Sequence, residues 1–349
     1  MENRTHTDEY WMRLALIEAE KGWGLCSPNP MVGAVVVKDG EKIGIGYHHR
    51  AGEAHAEVLA LREARAAAQG ADLFVTLEPC CTQGRTPPCV EAILRAGIRR
   101  VVIGCLDQNP AHGGRGVTIL REAGLEVVSG VLEEDCLKLN EHFFWWINQR
   151  RPFVYLKMAM SLDGKIALPD GSSKWITGLE ARRQVQRLRQ LAGAIMVGGK
   201  TARQDNPGLR VIEPPDWPRQ PQVCIWSSRL LESDLRIVKE ATTAPILCKP
   251  TSQAEWVSFL QELGQKDCTF LLLEGGGELA AAALGANIVN KVGFFVAPKL
   301  ILGRDAIPVT GGKSVATLAG ALSLDNLNCE RFGQDLLITG YCEHVYRNH

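Results

Sequence analysis

His55, Glu57, Cys80 and Cys89 are residues whose types could do chemistry together. One imidazole and two thiolates supply three ligands to a zinc ion. They leave its fourth tetrahedral position for water, the layout of a catalytic rather than a structural site. Such an ion lowers the pKa of its water from about 15.7 towards about 7, so hydroxide is available at neutral pH. A carboxylate is then needed to carry protons. The pattern predicts His55, Cys80 and Cys89 as ligands, and Glu57 as the proton carrier and not a ligand.

The order His-x-Glu, then Pro-Cys and a second Cys, is that of zinc deaminases, where the proton goes to a leaving amine. Their thiolates usually stand in a C-x-x-C, whereas eight residues separate Cys80 from Cys89. Gly84, Pro87 and Pro88 predict a loop in this gap. Cys81 competes with Cys80 for the metal, but successive side chains do not share a face, so only one should point inward. The plainer alternative is an ordinary helix opening at His55, with the cysteines buried as small hydrophobes.

The elements around these residues must hold them. Met12, Leu14, Ala15, Leu16, Ile17 and Ala19 predict a helix over Glu9–Gly22. A rigid Ser27-Pro28-Asn29-Pro30 loop follows, then strands Val32–Val37 and Lys42–Tyr47 joined by an Asp39-Gly40 hairpin turn. Helix formers from His55 to Gln69 put His55 and Glu57 in a first helical turn. Strand Leu73–Leu77 ends just before Cys80. Cys89 opens a helix to Ala96, where a thiolate gains from the dipole and the free amides. Strands Val101–Gly104 and Glu126–Ser129 flank a helix over Val117–Ala123, so helices should cover a central sheet. Gly114-Arg115-Gly116 reads either as a surface turn or as a contact for an anionic substrate group. One amphipathic helix is expected over Glu133–Trp146, and Gln149-Arg150-Arg151-Pro152 marks a domain boundary.

Beyond the boundary come strand Phe153–Met158, a turn over Ser161–Lys165 and a helix over Leu179–Ala192. That helix carries Arg182, Arg183, Arg187 and Arg189, and a solvated face is the plain reading for most of them. Strands Ile195–Val197, Val223–Trp226 and Pro245–Cys248, a loop at Asp205-Asn206-Pro207 and a helix over Glu255–Leu263 follow. Over Thr269–Leu284 an apolar strand meets three glycines and an Ala/Leu helix. Amides at such a junction can approach a phosphate. A tight turn serves equally well, and the spaced glycines of a Rossmann unit are absent. Strands over Asn290–Val296 and Leu336–Val345 complete the chain.

A chain of 349 residues suggests two domains. Lys plus Arg equals Asp plus Glu at 39 each, which argues against a nucleic-acid or membrane partner. Eleven cysteines follow a polar start containing Glu2, Asn3, Arg4, Asp8 and Glu9. Free thiols in a reducing compartment, the cytoplasm, are therefore expected rather than a disulfide framework. No apolar run approaches the roughly 18 residues of a membrane span.

The chain resembles the bifunctional riboflavin-biosynthesis family RibD, a pyrimidine deaminase fused to a reductase. In the first half the likeness rests on Pro28-Asn29-Pro30-Met31-Val32-Gly33, on Gly46-Tyr47-His48 and on the run from Arg50 through His55 to Glu57. It rests also on Glu78-Pro79-Cys80, on Gly84 through Cys89 and on Gly114-Arg115-Gly116. In the second half it rests on Ser161-Leu162-Asp163-Gly164, Trp175-Ile176-Thr177, Asp205-Asn206-Pro207 and Glu274-Gly275-Gly276. The family's wider cysteine gap agrees with the one here.

The resemblance implies an α/β chain: a cytidine-deaminase-like three-layer αβα domain over 1–150 and a dihydrofolate-reductase-like α/β domain over 151–349. It implies Zn2+ held by His55, Cys80 and Cys89, with Glu57 as proton donor. NADPH would meet Ala159, Trp175, Thr201, Asp205, Ser228, Gly276 and Gly277. Substrate would meet Ser173, Arg189, Leu209 and Glu274. Asn29 and Arg210 are further expected substrate contacts, and Arg189 and Arg210 are the candidate phosphate grips, because an arginine holds a phosphate with paired hydrogen bonds. The implied partners are phosphorylated pyrimidines, and a homo-oligomer is expected. The sequence departs from the family at Cys81, Thr82 and Gln83, at Arg210 and Ile212, and at Ser227, where an aspartate is usual. These departures motivate an alternative, a deaminase whose second domain is not catalytic.

Overall fold

The computed structural model describes residues 7–84, 87–110 and 112–342 and divides into two units, Met1–Asn148 and Gln149–His349. The expected final strand runs past Cys342, so its last residues lie outside the described ones, as do Glu2, Asn3 and Arg4.

The first unit runs α1 (Asp8–Ala19), β1 (Gly33–Lys38), β2 (Glu41–Tyr47), α2 (Ala56–Ala64), β3 (Asp72–Leu77), α3 (Cys89–Arg95), β4 (Arg100–Cys105), α4 (Arg115–Glu122), β5 (Glu126–Ser129), α5 (Glu133–Leu139) and α6 (Glu141–Gln149). Its sheet has the order β2-β1-β3-β4-β5, antiparallel in the first two pairings and parallel in the last two. Side chains alternate across the sheet. Ala34, Val36, Val75, Val101 and Ile103 pack with α2, α3 and α4. Val35, Val37, Phe74 and Val102 pack with α1, α5 and α6 on the other face. The result is the expected three-layer αβα arrangement.

Glycines set how close the helices come. A Cβ on Gly46 of β2 would stand 2.7 Å from Leu59 Cβ and 2.8 Å from the Ala56 carbonyl. Only a bare backbone there lets α2 lie against the strand. The single helix expected over Glu133–Trp146 is instead two, broken at Asn140. Asn140, 1% exposed, accepts from Met31 N and donates to Met31 O, both at 2.8 Å. These bonds pin the Pro28–Met31 loop, and periodicity cannot announce them because they join residues far apart in sequence.

The second unit runs β6 (Phe153–Ser161), β7 (Lys165–Ala167), α7 (Leu179–Leu191), β8 (Ala194–Gly198), α8 (Gly199–Asp205), β9 (Gln222–Trp226), α9 (Arg236–Lys239), β10 (Ile246–Cys248), α10 (Gln253–Gln265), β11 (Phe270–Glu274), α11 (Gly277–Gly285), β12 (Lys291–Ala297), β13 (Ile307–Pro308), β14 (Asp325–Phe332) and β15 (Asp335–Tyr341). The large sheet has the order β10-β9-β8-β11-β6-β12-β15-β14, parallel from β10 to β12 and antiparallel beyond. Val154, Leu156, Met158, Leu271 and Leu273 pack with Trp256, Leu260, Leu279 and Ala283 of α10 and α11. On the opposite face Ala181 and Val185 of α7 pack on Phe295 and Leu337. The Asp205-Asn206-Pro207 segment, expected as loop, begins on the last residue of a short helix. No helix among the described residues is long and apolar enough to cross a membrane.

Candidate active sites

In the first unit three elements converge. His55 is the N-cap of α2 in extended conformation, one residue outside the helical turn expected for it, and Glu57 sits in that turn, 3% exposed. Cys80 follows β3, and Cys89 opens α3 behind Pro88. One donor atom from each of His55, Cys80 and Cys89 lies within 4.8 Å of the others. His55 Nδ1 is 3.1 Å from Cys89 Sγ and 3.4 Å from Cys80 Sγ. Around a tetrahedral zinc with ordinary bond lengths, nitrogen and sulfur stand about 3.6 Å apart. The donor set therefore fits that ion, with Nδ1 as the imidazole ligand.

The two thiols share one proton. Cys80 is held well below its ordinary range, first by the Cys89 thiol donating to it and then by His55, while that same bond and burial push Cys89 up. The Cys89 amide also donates to Cys80 Sγ, at 3.3 Å. Burial pushes the Glu57 carboxyl up, and the Cys80 charge adds to this. Cys81 turns away: its Sγ is 3.9 Å from His112 Nδ1, and it packs on the core beneath α2 to α4.

Asn29 enters from the Pro28–Met31 loop. Its Nδ2 donates to His48 Nε2 at 3.0 Å, while His48 Nδ1 donates to the Ala54 carbonyl at 3.2 Å. Burial lowers the His48 pKa. A neutral ring protonated on Nδ1 meets both contacts, and Asn29 Oδ1 is left as an acceptor.

The anion contact considered for Gly114-Arg115-Gly116 is not what the amides do. Gly114 N and Asp107 N donate to Glu78 Oε2 at 2.9 and 3.1 Å, and Gly116 N and Val117 N to Oε1 at 2.8 and 3.3 Å. An internal carboxylate holds the place foreseen for a substrate anion.

The second unit has a cavity of about 1050 Å³ at the carboxyl ends of β6, β8, β9 and β11. Ligands of parallel α/β sheets bind in that crevice. A drug-sized ligand needs about 300–1,000 Å³, so a dinucleotide and a second molecule are within reach. Ala159, Trp175, Thr201, Asp205, Ser228, Gly276 and Gly277 all line it, and so do Ser173, Arg189, Leu209, Arg210 and Glu274. Gly275 and Gly276 have φ of +82° and +87°. A Cβ on Gly276 would stand 3.0 Å from Thr201 Oγ1, so the glycine keeps this corner of the cavity open. Ser173 Oγ donates to Asp205 Oδ1 at 3.2 Å. Trp175 is 65% exposed, and the Arg182 guanidinium lies 4.5 Å from its ring centroid. Of the four helix arginines, Arg183 and Arg187 are exposed while Arg182 and Arg189 are half-buried, so the solvated face expected for most of them holds for two.

Arg189 corrects one expectation. Its Nε and Nη2 donate to Glu274 at 2.6 and 2.8 Å, and its Nη1 to the Arg210 carbonyl at 3.2 Å. The fork that would grip a phosphate is already engaged. Lys157, not foreseen from the sequence, lies next to this pair: it is the register partner of Glu274 and lines the same cavity. Burial pulls its ammonium below the ordinary lysine range. The signal was present as one lysine within the apolar strand Phe153–Ser161.

Known proteins show the same two-part design. Residues 5–105 match the cytidine and deoxycytidylate deaminase zinc-binding region, and residues 152–338 the RibD C-terminal domain. Riboflavin biosynthesis protein RibD of Actinobacillus pleuropneumoniae is 39% identical over 96% of this chain and 95% of its own. That of Aquifex aeolicus is 41% identical over 95% and 97%. The solved RibD of Acinetobacter baumannii, form 1, superposes with a TM-score of 0.85 at 37% identity, covering 96% of this chain and 98% of the other. A Thermotoga maritima diaminohydroxyphosphoribosylaminopyrimidine deaminase/5-amino-6-(5-phosphoribosylamino)uracil reductase gives 0.83 at 35% identity, with the same coverage. A zinc-deaminase half and a RibD-type, NADPH-dependent reductase half in one chain place this protein in the RibD family of bifunctional riboflavin-biosynthesis deaminase-reductases.

Proposed function

We propose that residues 1–150 remove the exocyclic amine of a phosphoribosylamino-diaminopyrimidine, and that residues 151–349 then reduce the opened ribosyl chain to a ribityl chain. The supporting observation is the convergence of His55, Cys80 and Cys89 beside the buried Glu57 carboxylate. Zinc bound there supplies hydroxide at neutral pH. Glu57 takes the proton released from water and gives it to the amine nitrogen, which departs as ammonia. Its raised pKa suits a group that must both accept and donate. Asn29 Oδ1, oriented through His48, accepts an N–H of the pyrimidine.

In the second unit NADPH supplies the hydride, and the protein orients the two reactants. With cofactor bound, that hydride would go to C1 of the opened sugar, and Lys157 Nζ would give a proton to the adjoining nitrogen and regain one from solvent. Ala159, Trp175, Thr201, Asp205, Ser228, Gly276 and Gly277 hold the cofactor. Glu274, braced by Arg189, accepts from sugar hydroxyls beside Ser173 and Leu209. Arg210 is exposed on the cavity wall, and its guanidinium grips the phosphate.

No disulfide joins the described cysteines, which supports a reducing, cytoplasmic setting. The open edge of β14, exposed from Asp325 to Arg331, supports a homo-oligomer. The test of function is incubation with the phosphorylated diaminopyrimidine. Ammonia should appear without NADPH, and the ribityl product only with it. Ammonia release without any NADPH-dependent product would favour a deaminase with a silent second unit.

A further inference from the structure

We infer that Glu78 is a positioning residue for deamination: its carboxylate fixes the loop between β4 and α4 against the strand end that carries Cys80. The inference rests on the zinc-site reading above. Glu78 is 4% exposed, and each of its oxygens accepts two backbone N–H groups, Asp107 and Gly114 on Oε2 and Gly116 and Val117 on Oε1. Hydrogen bonds to a carboxylate are about twice as strong as neutral ones. The carboxylate also sits at the N-terminus of α4, where the helix dipole favours it. Two glycines make the arrangement possible. Gly114, at φ +76°, turns the chain into α4. A Cβ on Gly116 would clash with the Pro79 carbonyl and crowd Glu78 Oε1 at 3.2 Å, so only glycine lets α4 come this close to the carboxylate.

The brace has a metal ligand on one side and a polar loop on the other. Pro79 alone separates Glu78 from Cys80. The loop it holds carries Asp107, whose Oδ1 accepts from Asn109 N at 2.8 Å, and His112, which meets Cys81. Glu78 thus sets where the polar loop stands beside the ligands, and its effect should fall on substrate binding.

The test is Glu78→Gln. The amide NH2 would face two N–H donors that now share one oxygen, and the loop must shift. Loss of such buried bonds should raise deaminase KM by about tenfold. kcat should change little, and zinc should stay at one per chain. Reduction of the deaminated substrate by the same chain is the internal control and should be unchanged. A merely structural role would instead lower the active fraction at constant KM, and that result overturns the inference. Gly114→Ala leaves the carboxylate in place but strains the turn. It should raise KM by a smaller factor, and if Glu78→Gln does not fold, an unchanged KM in this variant overturns the inference. Wild-type protein that releases no ammonia would sink the zinc-site reading itself, a different failure.

Discussion

Lys157 and Glu274 are register partners on β6 and β11, side by side on the sheet face opposite α10 and α11, and Arg189 of α7 closes on Glu274. Burial alone would raise the Glu274 carboxyl, but the Arg189 and Lys157 charges outweigh it and hold it below its ordinary 4.5. A depressed carboxyl stabilises the fold above its unfolded pKa, and that contribution is lost as pH falls through the folded value. Arg189→Met leaves a buried carboxylate without its main partner and should cost the second unit about 3–5 kcal/mol near neutral pH. In urea unfolding at stepped pH, the gap between variant and wild type should narrow below about 4.5. A gap independent of pH would mean that the pair does not carry the effect.

Lys157 gives the reductase a pH signature. Burial, the largest influence, favours the neutral amine and outweighs the opposing pull of Glu274. A lysine that must be charged to donate a proton then produces an alkaline limb centred below its ordinary 10.5. Lys157→Met should lower NADPH oxidation at least about a hundredfold. Lys157→Arg, if active, should carry the limb upward or out of range. Initial rates against pH with the deaminated substrate decide it, and a limb that persists in the Met variant assigns the proton elsewhere.

The zinc constellation was legible because its residue types are rare in combination and each lies at the end of an element whose period is clear. Cys89 opening α3 followed from Pro87-Pro88 and the apolar spacing after it. What escaped the sequence depends on pairings between distant segments. Asn140 breaks a helix because Met31 takes both ends of its amide, and Glu78 occupies the amides of Gly114 and Gly116. Lys157 stayed hidden because strand periodicity says which face a lysine joins, not which carboxylate waits there.

Glu57→Gln separates metal binding from proton transfer. The glutamine keeps the volume of a 3% exposed side chain but cannot carry the proton. Ammonia release should fall about a hundredfold to ten-thousandfold. Zinc content and reduction of the deaminated substrate should not change. Unchanged ammonia release with zinc retained would make the metal structural.

The ligand assignment can be checked by metal analysis. Cys80→Ser and Cys89→Ser should each lose zinc, whereas Cys81→Ser should keep it, because the Cys81 thiol faces His112 rather than His55. A strong chelator should stop ammonia release from wild type and leave NADPH oxidation intact. Zinc lost from the Cys81 variant and kept by the Cys80 variant would move the ligand by one residue.

Gly46→Ala tests whether the seat of α2 governs the metal. The added Cβ meets Leu59 Cβ at 2.7 Å and the Ala56 carbonyl and Ala60 N at 2.8 Å, contacts that α2 can relieve only by lifting off β2. That helix carries Glu57 and has His55 as its cap, so the imidazole moves with it. Overpacking of this kind costs about 1–3 kcal/mol. The variant should release zinc at a lower chelator concentration than wild type. Gly40→Ala is the control: its φ of +79° brings backbone strain of about 1–2 kcal/mol, but nothing lies within 4 Å of the new Cβ. Equal destabilisation with zinc loosened only by Gly46→Ala ties metal affinity to the position of α2. Equal zinc loss in both would trace it to general stability instead.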